Sequence, residues 1–296
     1  SSGPSNLAQG FEAVEHPWSP SRAEAARRIV ESKLPPEEQT SELRQRLEAA
    51  KRGEAPLSAW TIKAAGPLAE QAVLEWLVAA DRSRPWLVFV NYMEAHRPTI
   101  PERGYRERVM SPQDVQASYG VDRSWLSIWE YTFGLRNYSE RELALTRATY
   151  DAALLELDEL TASLIDALEA RGLLEHAVVV VTSDHGELLG EHHMLDHQYA
   201  LHEELLRVPL VVRARGRLAP GRETRPVSTL DLFATILELA GVALPVGARS
   251  QSLLAPQSHR GRLAEDPASA SVGIEEVRTR HPGFDATPFQ RRLRAW

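Results

Sequence analysis

The chain is expected to adopt an α/β fold, a three-layer α/β/α sandwich around a mostly parallel central sheet. Three observations point there. Two short runs, 86–92 and 178–182, are continuous in apolar and β-branched residues. Runs of strand length without alternation suit strands covered on both faces. A long helical stretch lies between them, at 139–171. Each run also ends in a polar cluster, Met93-Glu94-Ala95-His96 after the first and Ser183-Asp184-His185 after the second. Ligand sites in open α/β sheets lie beyond the carboxyl ends of strands.

The elements follow in order. Residues 1–20 are rich in Ser, Pro and Gly and are expected to be loop. Residues 21–52 are expected to form two polar helices split by Pro35-Pro36, because proline cannot sit in a helix interior. Residues 67–80 form an amphipathic helix opened by Pro67. The segment 99–138 reads as loop with many aromatics, among them Tyr105, Trp125, Trp129, Tyr131 and Tyr138. These suit either an aromatic surface for a sugar or aryl ring, or packing over the sheet. Ser139 with Glu142 makes a capping box for the long helix, and Gly172 ends it. A third strand is expected at 208–213, and Ser228 caps a further helix.

Composition excludes several function classes. The 296 residues carry a net charge of −7, which offers no attraction to nucleic acid or anionic membrane. No apolar run is long enough to span a bilayer. There is no cysteine, so disulfides, thiolate metal sites and cysteine nucleophiles are ruled out within this sequence. The opening Ser1-Ser2-Gly3-Pro4 has no signal-peptide pattern, and localisation is not legible from it.

The chemistry concentrates in one stretch. Five of ten histidines fall between His185 and His202, interleaved with Asp184, Glu187, Glu191, Asp196, Glu203 and Glu204. A carboxylate and an imidazole on a strand end make half of a metal site, with preference among Ca²⁺, Mg²⁺, Mn²⁺ and Zn²⁺ set by the oxygen and nitrogen share. The alternative is that Asp184 caps a turn and the histidines are solvated. The zincin pattern is absent, since Met194 follows His193 and Leu206 stands where a second histidine would follow His202-Glu203.

The stretch "VVVVTSDHGELLGEHHMLDHQYALHEELLRVPLVV" resembles the metal motif of the sulfatase family, within the alkaline phosphatase superfamily. "PWLVFVNYMEAHRPTIPERGY" and "STLDLFATILELAGV" resemble its other segments, in family order. The resemblance implies an α/β domain over 1–255 and the start of a small C-terminal subdomain, or a tail, over 256–296. It implies that Asp184 and His185 bind a divalent cation, Ca²⁺ first, with Mn²⁺ or Zn²⁺ as alternatives. His96 and His197 are implied as catalytic contacts to the sulfate of a small-molecule or carbohydrate sulfate ester. His197 falls near a position that is often Lys. His192 has a weaker site role, Glu187 orients the loop, and His202 replaces a common Tyr. His176, His259 and His281 are expected at the surface.

The family also carries a formylglycine nucleophile in a C/S-x-P-x-R segment and N-terminal Asp ligands. No segment here matches either, since "WSPSR" places Trp18 at the nucleophile position. The expectation is therefore a sulfuric ester hydrolase by family, represented by a chain with little activity alone. A phosphonate or phosphodiester hydrolase of the same superfamily, or a non-catalytic sulfatase-like protein, stand as alternatives. Oligomeric state is not legible.

Overall fold

The computed structural model describes residues 10–35, 42–54, 62–81, 83–255, 263–266 and 272–295. The opening tetrapeptide, Pro36 and His259 lie outside the described residues. The chain forms two compact units, one from 1–124 with 138–167 and one from 125–137 with 168–296. We call these unit 1 and unit 2.

Unit 1 is helical. The two expected polar helices are α1 (Ala23–Lys33) and α2 (Glu42–Lys51), followed by α3 (Pro67–Ala79). Their apolar residues Ala26, Val30, Leu43, Leu47 and Leu68 share a core with Ile62 and Ile100. The segment after residue 99 is not mainly loop. It folds as α4 (Arg103–Val109), α5 (Pro112–Ser118) and, in unit 2, α6 (Trp125–Thr132). Ser111 accepts a hydrogen bond from the Asp114 amide and Pro112 takes the first helical position, both helix-start signals. The long helix α7 (Glu140–Glu169) begins at the expected box, with Ser139 and Glu142 bonded reciprocally at 2.7 and 3.2 Å.

A buried ion cluster ties unit 1 together. The Lys33 ammonium pairs with Glu156 and lies 3.8 Å from Glu94. Glu94 also accepts the Gly66 amide at 2.7 Å. A Cβ at position 66 would stand 2.8 Å from that Glu94 oxygen. Burial pushes the Glu94 carboxyl above the usual range, against the opposing pull of Lys33.

The expected strand at 86–92 forms no paired strand among the described residues. Its residues alternate in exposure, and Leu87 and Phe89 are 65% and 67% exposed. An apolar run reports a capacity for burial, not the presence of a covering layer on each face.

Unit 2 holds β1 (Val178–Thr182), β2 (Leu188–Leu189), β3 (Leu195–Asp196), the one-turn helix α8 (Glu203–Leu206) and β4 (Leu210–Ala214). After these come α9 (Leu232–Ala240), β5 (Ala264–Asp266), α10 (Val272–Arg280) and β6 (Leu293–Ala295). Mixed helix and strand agree with the expected α/β class. Pairing differs from the expected parallel arrangement. β1 pairs with β4 antiparallel, from Val178 opposite Ala214 to Thr182 opposite Leu210. All three sheets among the described residues are two-stranded and antiparallel. A parallel return needs a crossover of a dozen or more residues, usually a helix. The connection from β1 to β4 holds only short hairpin strands and single helical turns, so the chain comes back the other way.

Elsewhere in unit 2, Ser228 caps the turn before α9, and Gly241 ends that helix with φ of 70°. Ile274 and Val277 of α10 pack with Trp129, Phe133 and Ala286.

Candidate active site

The site is built on the 183–205 loop of unit 2. Gly186 donates its amide to the Leu205 carbonyl at 2.8 Å, closing the neck of the loop. An added Cβ at 186 would lie 1.9 Å from the Glu204 carbonyl oxygen, so only glycine allows this approach. Inside the neck, β2 and β3 form a short ladder, and Leu188, Met194, Ala200 and Leu205 make a small core. Thr132 of α6 grips the far side, its hydroxyl within 3.3 Å of the Leu195 amide.

Asp184 and His185 follow β1 as expected. The Asp184 side chain is 88% exposed, and its Oδ2 lies 3.8 Å from His185 Nε2. Asp184 Oδ1 accepts the His185 amide at 3.0 Å, and Ser183 donates its hydroxyl to the His185 carbonyl at 2.7 Å. His185 Nδ1 sits 2.8 Å from the Gly186 carbonyl. In the neutral ring that contact places the proton on Nδ1, and Nε2 is then the nitrogen a metal would take. Metal-binding histidines commonly donate their other N–H to a carbonyl or carboxylate in this way. Oδ2 and Nε2 at 3.8 Å can share one ion at bonds of about 2.0–2.5 Å. The donor pair therefore fits a divalent cation.

His197 stacks on His185 with ring centroids 4.1 Å apart. Its Nδ1 lies 2.6 Å from Asp196 Oδ1 and 3.4 Å from Glu187 Oε2. Burial opposes charge on this ring, but the bonds from Asp196 and then Glu187 outweigh it. The imidazole is pushed up to about 10 and is a cation at neutral pH. Glu187, Asp196 and His197 also present ligand atoms close enough together to hold a metal ion. Glu187 thus contacts the His197 ring. Asp196 was not singled out by sequence, since one carboxylate among six in an acidic loop carries no distinctive signal.

Other expected residues fall outside this cluster. His192 stacks on His202 at 3.8 Å and lies 3.2 Å from the Glu204 carboxylate. His281 is not a plain surface residue, because it bonds the buried Glu130 at 2.9 Å. His176 is exposed. Trp129, Tyr131 and Tyr138 are buried as packed side chains and form no open aromatic surface. His96 belongs to unit 1, where its Nδ1 lies 2.6 Å from the buried Lys63 ammonium and 2.8 Å from the Arg97 carbonyl. Lys63 carried no signal in the sequence.

The Sulfatase family model matches residues 68–242, more than half of the chain. The chain belongs to the sulfatase family. Among curated sulfatases, arylsulfatase K of Mus musculus is 28% identical over 200 residues, covering 61% of this chain and 36% of the relative. The Xenopus laevis arylsulfatase K is 38% identical over 153 residues, covering 51% and 26%. The choline-sulfatase of Rhizobium meliloti (strain 1021) is 29% identical over 174 residues, covering 55% and 33%. The chain thus spans about a third of the length of these sulfatases. Its fold is similar to that of the phosphonate monoester hydrolase SpPMH from Silicibacter pomeroyi. The TM-score is 0.53 at 22% identity, over 69% of this chain and 45% of that one. A protein solved in complex with its substrate D-glucosamine-2-N,6-O-disulfate gives a TM-score of 0.51 at 19% identity, over 64% and 51%. These likenesses carry the α/β sulfatase-type fold.

Proposed function

We propose that the protein hydrolyses sulfate esters, with Asp184 and His185 holding part of a divalent cation site and His197 contacting the sulfate group. One observation carries this reading. Asp184 Oδ2 and His185 Nε2 stand 3.8 Å apart at the end of β1, with the His197 ring stacked on that of His185. The cation, when bound, supplies a Lewis acid for a sulfate oxygen. Ca²⁺ suits the exposed carboxylate, with Mn²⁺ or Zn²⁺ favoured by the imidazole share.

This chain's own groups do the rest. His185 is oriented by the Gly186 carbonyl, so its tautomer is set before any ion arrives. His197 keeps a positive charge where negative charge on sulfate and leaving oxygen must be stabilised.

The substrate class is a small-molecule or carbohydrate sulfate ester. The test is turnover of nitrophenyl sulfate and of an aryl phosphonate by the complete gene product, with Ca²⁺ or Mn²⁺ and with chelator. Sulfate turnover that disappears with chelator and falls at least about a hundredfold in His185→Ala is expected. Equal rates in His185→Ala, or activity confined to the phosphonate, would refute the assignment.

A further inference from the structure

We propose that Asp196 is a positioning residue, which holds the His197 ring by its Nδ1–H and so fixes Nε2 as the nitrogen offered to an anionic ligand. The inference rests on the sulfate-contact reading of His197 and adds a residue that reading does not contain.

Asp196 is 4% exposed and ends β3 with φ of 77°. Few non-glycine residues take this left-handed backbone, although Asp tolerates it better than most. Its Oδ1 lies 2.7 Å from the amide of His197 and 2.6 Å from Nδ1 of the same residue. One carboxylate oxygen thus accepts from both the backbone and the ring of its neighbour. Glu187 adds a second carboxylate 3.4 Å from that ring nitrogen. Turning the ring over would take Nδ1–H away from two anionic groups, so the orientation with Nδ1–H on Asp196 is selected. Any ligand of His197 then meets Nε2. A buried carboxylate requires such a partner, because an uncompensated charge in the interior is costly. The stacked His185 ring limits rotation of His197 from one side, and the two carboxylates hold its edge.

The arrangement differs from a simple turn cap, which needs only the amide contact. Asp196→Asn keeps the side-chain shape and a left-handed backbone that Asn also accepts. It keeps the amide contact and removes the negative charge from the ring. The experiment follows the His197 ring nitrogens by ¹⁵N–¹H correlation spectroscopy in the wild-type chain and in Asp196→Asn. It also measures binding of inorganic sulfate and the melting temperature. A protected Nδ1–H in the wild type, lost or fast-exchanging in Asp196→Asn, is expected. Sulfate affinity should fall about tenfold with the fold intact. His197→Lys in the Asp196→Asn background should restore sulfate binding, since an ammonium needs no ring orientation.

An unchanged Nδ1–H signal in Asp196→Asn overturns the proposal. So does a stoichiometric Zn²⁺ complex of the wild type that replaces that proton, which would make Glu187, Asp196 and His197 metal ligands. A wild type that shows the protected proton but binds no sulfate counts against the sulfate-contact reading alone. The ring signal still decides the role of Asp196.

Discussion

A side chain at position 186 would meet backbone, not a movable neighbour, since the Glu204 carbonyl oxygen would stand 1.9 Å from its Cβ. Gly186→Ala must therefore open the loop neck and lose the bond to Leu205. Overpacking typically costs about 1–3 kcal/mol, and with a backbone obstacle we expect at least about 2 kcal/mol, read as a lowered denaturation midpoint. His197 gives a pH prediction. Its folded value of about 10 lies above the ordinary 6.5. Its stabilising contribution is thus complete below pH 6.5 and is lost as pH rises through about 10. Denaturant titrations in chelator should show stability declining over that window by up to about 1.4 kcal/mol per pH unit. Asp196→Asn should flatten the decline, and an equal slope in both proteins would contradict the pairing. The place of Asp184 and His185 at the end of β1 was legible, because they follow a run of valines. The backbone of Asp196 was not, because residue type alone does not announce its positive φ.

Elements were legible where a local signal exists. Ser139 with Glu142, Pro67 and the valines of β1 each placed an element correctly, because capping, proline geometry and β-branching act within a few residues. Partnership is set by distant contacts and was not legible. The run at 86–92 has the composition of a buried strand, yet Leu87 and Phe89 point to the exposed side of its alternation. Leu87→Thr and Phe89→Thr should change the stability of this chain by no more than about 0.5 kcal/mol. A loss of several kcal/mol in chemical denaturation would show that these side chains are covered after all. The direction of β4 was likewise hidden, since alternation and hydrophobicity are the same for a parallel and an antiparallel neighbour.

At the scale of the whole molecule, the ion cluster of unit 1 joins three separated stretches through Lys33, Glu94 and Glu156. The Lys33 side chain is 1% exposed. Breaking a buried pair by removing one partner costs about 3–5 kcal/mol, because the other charge is left uncompensated. Lys33→Met should therefore destabilise the chain by about that amount, with a partial recovery in Lys33→Met/Glu156→Gln. A variant as stable as the wild type would mean that the cluster contributes nothing. Sequence showed the charges of this cluster but not their convergence, as residues 33, 94 and 156 carry no shared pattern.

The division into units has a further consequence. The polypeptide crosses from unit 1 to unit 2 at residue 125, back at 138 and over again at 168. A ribosome emitting this chain releases Trp129 and Phe133 long before Ile274 and Val277, which complete the same core. That core cannot close until residues 274–286 are made, so until then those aromatics lack this native cover. Neither unit can be excised as one continuous piece, and shortening the chain after α9 would strip α6 of its packing partners rather than trim an appendage.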